Sequence, residues 1–145
     1  SSSSPAFLTA VGSTLYFRAD DGTNGQELWK SDGSTAGTVM VKNIEFNASG
    51  NGGSYPSDLT VVGNTLYFGA YDGINGRELW KSDGTASGTT VIDLNTGPSD
   101  SNPDQLVAVG NNLYFVAYHT QFGYEIWMIQ TDGTDIMTSN KITYD

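Results

Sequence analysis

Three glutamates stand two residues before three tryptophans, in Glu27-Leu28-Trp29, Glu78-Leu79-Trp80 and Glu125-Ile126-Trp127. Carboxylates at regular intervals could form a ring for acid or metal chemistry, and tryptophans beside them could stack on sugars. Their recurrence points elsewhere. One Glu per copy, at a constant offset from Trp, fits a carboxylate that accepts hydrogen bonds from turn amides, because burying it without donors is costly. Glu27, Glu78 and Glu125 are therefore expected to be structural. Trp29, Trp80 and Trp127 are expected to pack in the core or between repeats, with ligand stacking as the secondary reading. The turns Asp20-Asp21-Gly22-Thr23-Asn24-Gly25 and Tyr71-Asp72-Gly73-Ile74-Asn75-Gly76 cluster oxygens that suit a hard cation. Asp20, Asp21, Asn24, Asp72 and Asn75 are thus the candidate ligands for calcium. The order of an EF-hand loop and its closing Glu are missing, so turn formation alone accounts for these residues. In Asp100-Ser101-Asn102-Pro103-Asp104 oxygen ligands alternate, but Gln105 occupies the place of the sharp-turn glycine.

Other chemistries lack parts. His119 is the only histidine and is expected in a turn; it supports neither a histidine metal cluster nor a Ser-His-Asp triad. The absence of cysteine removes disulfides, zinc-thiolate sites and thiol catalysis. Paired glycosidase carboxylates have no sequence signature, and a repeated, drifting motif argues for scaffold roles. No catalytic residue and no required cofactor is expected. Asn47-Ala48-Ser49 is a formal glycosylation sequon in a glycine-rich insertion.

The elements that must position these residues follow from the repetition. Pro5, Pro56 and Pro103, Leu8, Leu59 and Leu106, Gly12, Gly63 and Gly110, and Phe17, Phe68 and Phe115 recur in the same register as the tryptophans, at intervals of 51 and then 47 residues. Such periods mean a stacked or radial repeat architecture. The chain is read as one repeat domain over 1–145, with repeats at 5–55, 56–102 and 103–145 and a linker-like start at 1–4. Within repeat one, Leu8 to Val11, Thr14 to Ala19, Gln26 to Ser31 and Thr38 to Ile44 read as strands, the last matched by Thr89 to Leu94. Gly63-Asn64 and Asp32-Gly33 are the turn pairs, with Asp32 and Asp83 as structural turn residues. Helical periodicity is absent. Leu15-Tyr16-Phe17 and Leu28-Trp29 put bulk on both faces of the pleat, as sheets covered on both sides require. The expected fold is all-β: three four-stranded antiparallel repeats as β-propeller blades, partial or completed by oligomerisation. A β-trefoil is the alternative.

Composition bounds the partners. The chain of 145 residues, 37% hydrophobic and 12% aromatic, can build a core. Its net charge of −10 with only six basic residues cannot present a phosphate-binding patch, so nucleic acid is excluded as a partner and an anionic membrane surface is disfavoured. No run approaches a membrane span. Ser1-Ser2-Ser3-Ser4-Pro5 reads as a linker left by processing or excision.

The strings Glu27-Leu-Trp-Lys-Ser-Asp-Gly33 and Glu78-Leu-Trp-Lys-Ser-Asp-Gly84, with the upstream Leu-Tyr-Phe, resemble the ELWxxDGT repeat family. The third copy departs, with Met128-Ile129-Gln130 in place of Lys-Ser-Asp and Asp132-Gly133-Thr134 two residues late. The resemblance implies a propeller-like part of a secreted or surface-attached bacterial protein and no known catalytic activity. The expected function is a non-enzymatic binding or assembly module at the cell surface. Its partners are expected to be a second copy or neighbouring repeats. The alternatives are a lectin, with calcium assisting a glycan ligand, and behind it a glycan-active enzyme.

Overall fold

Short aromatic and β-branched runs, too short and too glycine-bounded for helices, pair with their nearest neighbours in sequence. A computed structural model of the chain describes residues 2–45, 52–130 and 140–142, and among these it is all-β, without a helix. Sheet one is formed by β1 (Ala6–Val11), β2 (Thr14–Asp20), β3 (Gln26–Ser31) and β4 (Val39–Lys42). Sheet two is β5 (Ser57–Val62), β6 (Thr65–Tyr71), β7 (Arg77–Ser82) and β8 (Thr90–Ile92). Sheet three is β9 (Asp104–Val109), β10 (Asn112–His119), β11 (Gly123–Gln130) and the three-residue β12 (Asn140–Ile142) at its edge. Each is an antiparallel meander in which strand order equals chain order, and no strand crosses between sheets. The sequon Asn47-Ala48-Ser49 and Asp132-Gly133-Thr134 lie outside the described residues.

The register of the central strand pair is the same in all three sheets. Phe17 faces Trp29, Phe68 faces Trp80 and Phe115 faces Trp127 across the central strand pair, and the glutamates stand opposite Ala19, Ala70 and Ala117. Alternation along each strand then sorts side chains onto two faces. One face carries Leu66, Phe68, Ala70 and Trp80 in sheet two, and these pack on Tyr16, Leu28, Val41 and Ile44 of sheet one. The other face of sheet two, with Val62, Tyr67, Leu79 and Ile92, packs on Leu113, Phe115, Ala117, Trp127 and Ile129 of sheet three. Leu28, Leu66, Phe68, Leu79, Leu113 and Phe115 are at most 1% exposed. Each such burial contributes about 1.5–3 kcal/mol relative to exposure.

The expectation that both faces are covered holds for sheet two. Sheets one and three are each covered on one face only. On the uncovered faces, Leu15 of sheet one, and Val107, Val109, Tyr124 and Ile126 of sheet three, are exposed.

A second recurrence is carried by the backbone. Ser4, Tyr55 and Asn102, and three residues later Phe7, Asp58 and Gln105, all have φ between 43° and 57°, in the left-handed region. Such residues flank Pro5, Pro56 and Pro103, and the ladder register breaks at the second of each pair, between Ala6 and Thr9, between Ser57 and Thr60 and between Asp104 and Val107. The first strand of every repeat therefore enters its sheet through a bulge. Side chains other than Gly, Asn and Asp pay about 1–2 kcal/mol for this conformation, so the surrounding contacts must hold it.

Candidate functional site: the contacts between repeats

Glu27 lies at the start of β3 and is fully buried. Its Oε2 accepts from the Ser54 hydroxyl at 2.6 Å and the Ile44 amide at 3.2 Å, and its Oε1 from the Ser54 amide at 3.0 Å and the Glu45 amide at 3.4 Å. Glu78 repeats the arrangement. It is fully buried and accepts from the Leu94 amide at 3.1 Å, the Ser101 amide at 2.7 Å and the Ser101 hydroxyl. The amide partners expected from the sequence are present, but not within one hairpin: each glutamate binds the segment that enters the following repeat. Burial raises the Glu27 carboxyl above its ordinary range, against the donors that hold it down. Burial raises Glu78 to about 7, with a smaller push from Asp93. A carboxylate near neutrality suits proton transfer. Here, however, protein donors surround it and no solvent reaches it. Glu125 is half-buried at the same position of β11.

Ser54 and Ser101 stand two residues before Pro56 and Pro103, and Ser3 occupies the same place before Pro5. The sequence reading missed them, although their spacing of 51 and 47 residues repeats that of the anchors. Their backbones are held alike: the carbonyls of Ser3, Ser54 and Ser101 accept from the amides of Asp20, Tyr71 and Tyr118. The next residue reaches back one repeat, Tyr55 N–H to the Gln26 carbonyl at 3.0 Å and Asn102 N–H to the Arg77 carbonyl at 3.0 Å.

Further bonds run in the same direction. Lys30 Nζ donates to the Gly84 carbonyl at 2.7 Å and Lys42 Nζ to the Thr89 carbonyl at 2.9 Å, with Lys42 also 5.6 Å from the centre of the Trp80 ring. At the first strands, the Thr9 hydroxyl faces the Leu59 carbonyl at 3.5 Å and the Thr60 hydroxyl the Leu106 carbonyl at 3.4 Å. Trp80 and Trp127 are buried inside these contacts, whereas Trp29 is half-buried on the open face of sheet one.

The candidate calcium turns are organised from within. Asp21 Oδ1 accepts from the Thr23 and Asn24 amides, both at 2.8 Å, and Oδ2 from Asn24 Nδ2 at 2.7 Å; Asp72 does the same with Ile74 and Asn75. Asp20 Oδ1 accepts from the Gly22 amide at 2.6 Å. The Asn24 amides, backbone then side chain, hold Asp21 below the usual carboxylate range. No group of three or more His, Asp or Glu side chains suited to a metal exists among the described residues. Asp32 and Asp83 cap their turns through Ser34 and Thr85, whose hydroxyls and amides hold both carboxyls low. Asp100 accepts from the Arg77 amide at 2.7 Å. His119 ends β10, stacks on Phe122 at 4.9 Å and accepts from the Gln121 amide.

An open groove of about 680 Å³ passes Ser57, Asp58, Arg77 and Asp104. The Arg77 guanidinium there already donates to Ser57 Oγ at 2.6 Å and the Tyr55 carbonyl at 3.2 Å.

Comparison of the chain with protein-family models, with curated proteins and with solved structures finds no match.

Proposed function

We propose that the chain is a non-enzymatic extracellular or cell-surface module of ELWxxDGT-type repeats, built of propeller-like blades, that works by binding and assembly. One observation carries this reading: the recurring polar residues of the motif are bonded to the adjacent repeat. Glu27 and Glu78 are sealed by Ser54 and Ser101, and Lys30 donates to Gly84. Side chains committed in this way are unavailable to a substrate. The burial of Trp80 and Trp127 likewise removes their ring faces from any sugar.

The blade reading is supported by three separate meanders stacked face to face, with β1 beside β5 and β5 beside β9. Blades around an axis bring their first strands together in this way, whereas a trefoil joins strands of all three repeats in a single barrel. Placement outside the cell rests on the resemblance of the two Glu-Leu-Trp-Lys-Ser-Asp-Gly strings alone.

Light scattering on the purified chain tests the assembly reading. The expected mass is two or more times that of the 15.5 kDa chain. A monomer at every accessible concentration overturns it.

A further inference from the structure

The two open sheet faces carry the two residue sets of an interface that the chain already makes twice. At each internal contact the upstream repeat offers a tyrosine and a leucine, Tyr16 with Leu28 and then Tyr67 with Leu79. The downstream repeat offers a leucine, a phenylalanine and a tryptophan, Leu66, Phe68 and Trp80 and then Leu113, Phe115 and Trp127. On sheet three the first set recurs as Tyr114 and Ile126, and on sheet one the second recurs as Leu15, Phe17 and Trp29. All five are half-buried or exposed, with Leu15 and Ile126 each at 37%. Their buried counterparts Leu66 and Leu79 are at 1% and 0%.

From this duplication we infer that the outer face of sheet three docks on the outer face of sheet one of a second copy, head to tail, in the geometry of the internal contacts. The inference rests on the assembly reading above and names its surface. Ser3 of the second copy, the counterpart of Ser54 and Ser101, donates to Glu125. Tyr114 lies over Gly33 as Tyr16 lies over Gly84, where an added Cβ would stand 2.2 Å from the Tyr16 hydroxyl. At Gly33 the same space is empty.

Three of the internal bonds have no counterpart in this junction. Lys30 is replaced by Met128, Thr9 by Val107, and Lys42, which pairs with Leu28, by Ile142, which pairs with Ile126. The junction between copies is therefore weaker than those within the chain, and it can be strengthened by design.

The test uses four variants of the full chain, each checked for native circular dichroism, in sedimentation equilibrium. Leu15→Arg and Ile126→Arg lie at exposed positions and each blocks one face. Each alone should be monomeric, and their mixture should regain a two-chain complex, because one intact pair of faces remains. Met128→Lys restores a charged donor toward Gly33 of the partner copy and should tighten association about tenfold. Val107→Thr should tighten it by a smaller factor. Association blocked by Leu15→Arg but not by Ile126→Arg, or unmoved by either, overturns the head-to-tail surface while leaving assembly standing. A wild-type chain that never associates overturns both.

Discussion

A carboxyl group with no exposed surface is tolerated only where donors replace its water, and Glu78 has the Leu94 and Ser101 amides and the Ser101 hydroxyl for that purpose. Desolvation still wins, which is why its carboxyl titrates near 7. A folded-state value raised above the unfolded one gives stability that is complete below the unfolded value of about 4.5 and lost as pH rises through about 7. Asp21, Asp32 and Asp83 act in the opposite sense. Their depressed values give stability that is present above about 3.8 and lost as pH falls further. Urea unfolding should therefore show greater stability near about pH 5.5 than near about pH 8, with a second decline in strong acid. Glu78→Gln turns an amide NH₂ toward one of the donors and should cost about 2–3 kcal/mol while flattening the alkaline decline. Equal costs at both pH values would assign the titration to another group.

Among elements, strand positions were legible because a two-residue alternation and turn residues mark them. The limits of β4 and β8 were not. The run Thr38 to Ile44 reads as one strand, yet pairing stops at Lys42, because the Ile44 amide leaves the ladder to donate to Glu27. Likewise β8 ends at Ile92, and the Leu94 amide donates to Glu78. The spacing of the glutamates marks them as amide acceptors. Their serine partners are not so marked, since they lie 27 and 23 residues downstream and a serine near proline reads as ordinary loop. The left-handed Tyr55 and Phe7 carry no residue-type signal at all. Two glycines of identical local sequence also differ by position in the stack. Gly33 and Gly84 have φ of 93° and 88°, but only Gly84 lies against a neighbouring repeat. Gly33→Ala should cost about 1–2 kcal/mol from backbone strain alone. Gly84→Ala should cost at least about 1 kcal/mol more, because Tyr16 must move. Equal losses in denaturant unfolding would mean that the Tyr16 contact carries no weight.

For the molecule as a whole, burial is graded along the stack, greatest in sheet two and least on the outer faces of sheets one and three. The net charge of −10 opposes any approach of two copies. Added salt should therefore tighten association between chains, as shortening the Debye length to about 3 Å at 1 M weakens that repulsion. Sedimentation at low and high sodium chloride measures it. Weaker association at high salt would point to an interface dominated by opposite charges instead.

The serine-to-glutamate bond also imposes an order on synthesis. As a nascent chain leaves the ribosome, Glu27 appears well before Ser54, and Glu78 well before Ser101. Each newly made meander thus keeps one acidic group hydrated until the opening residues of its successor arrive. The first two units are then completed in turn from the amino end, each by the one translated after it.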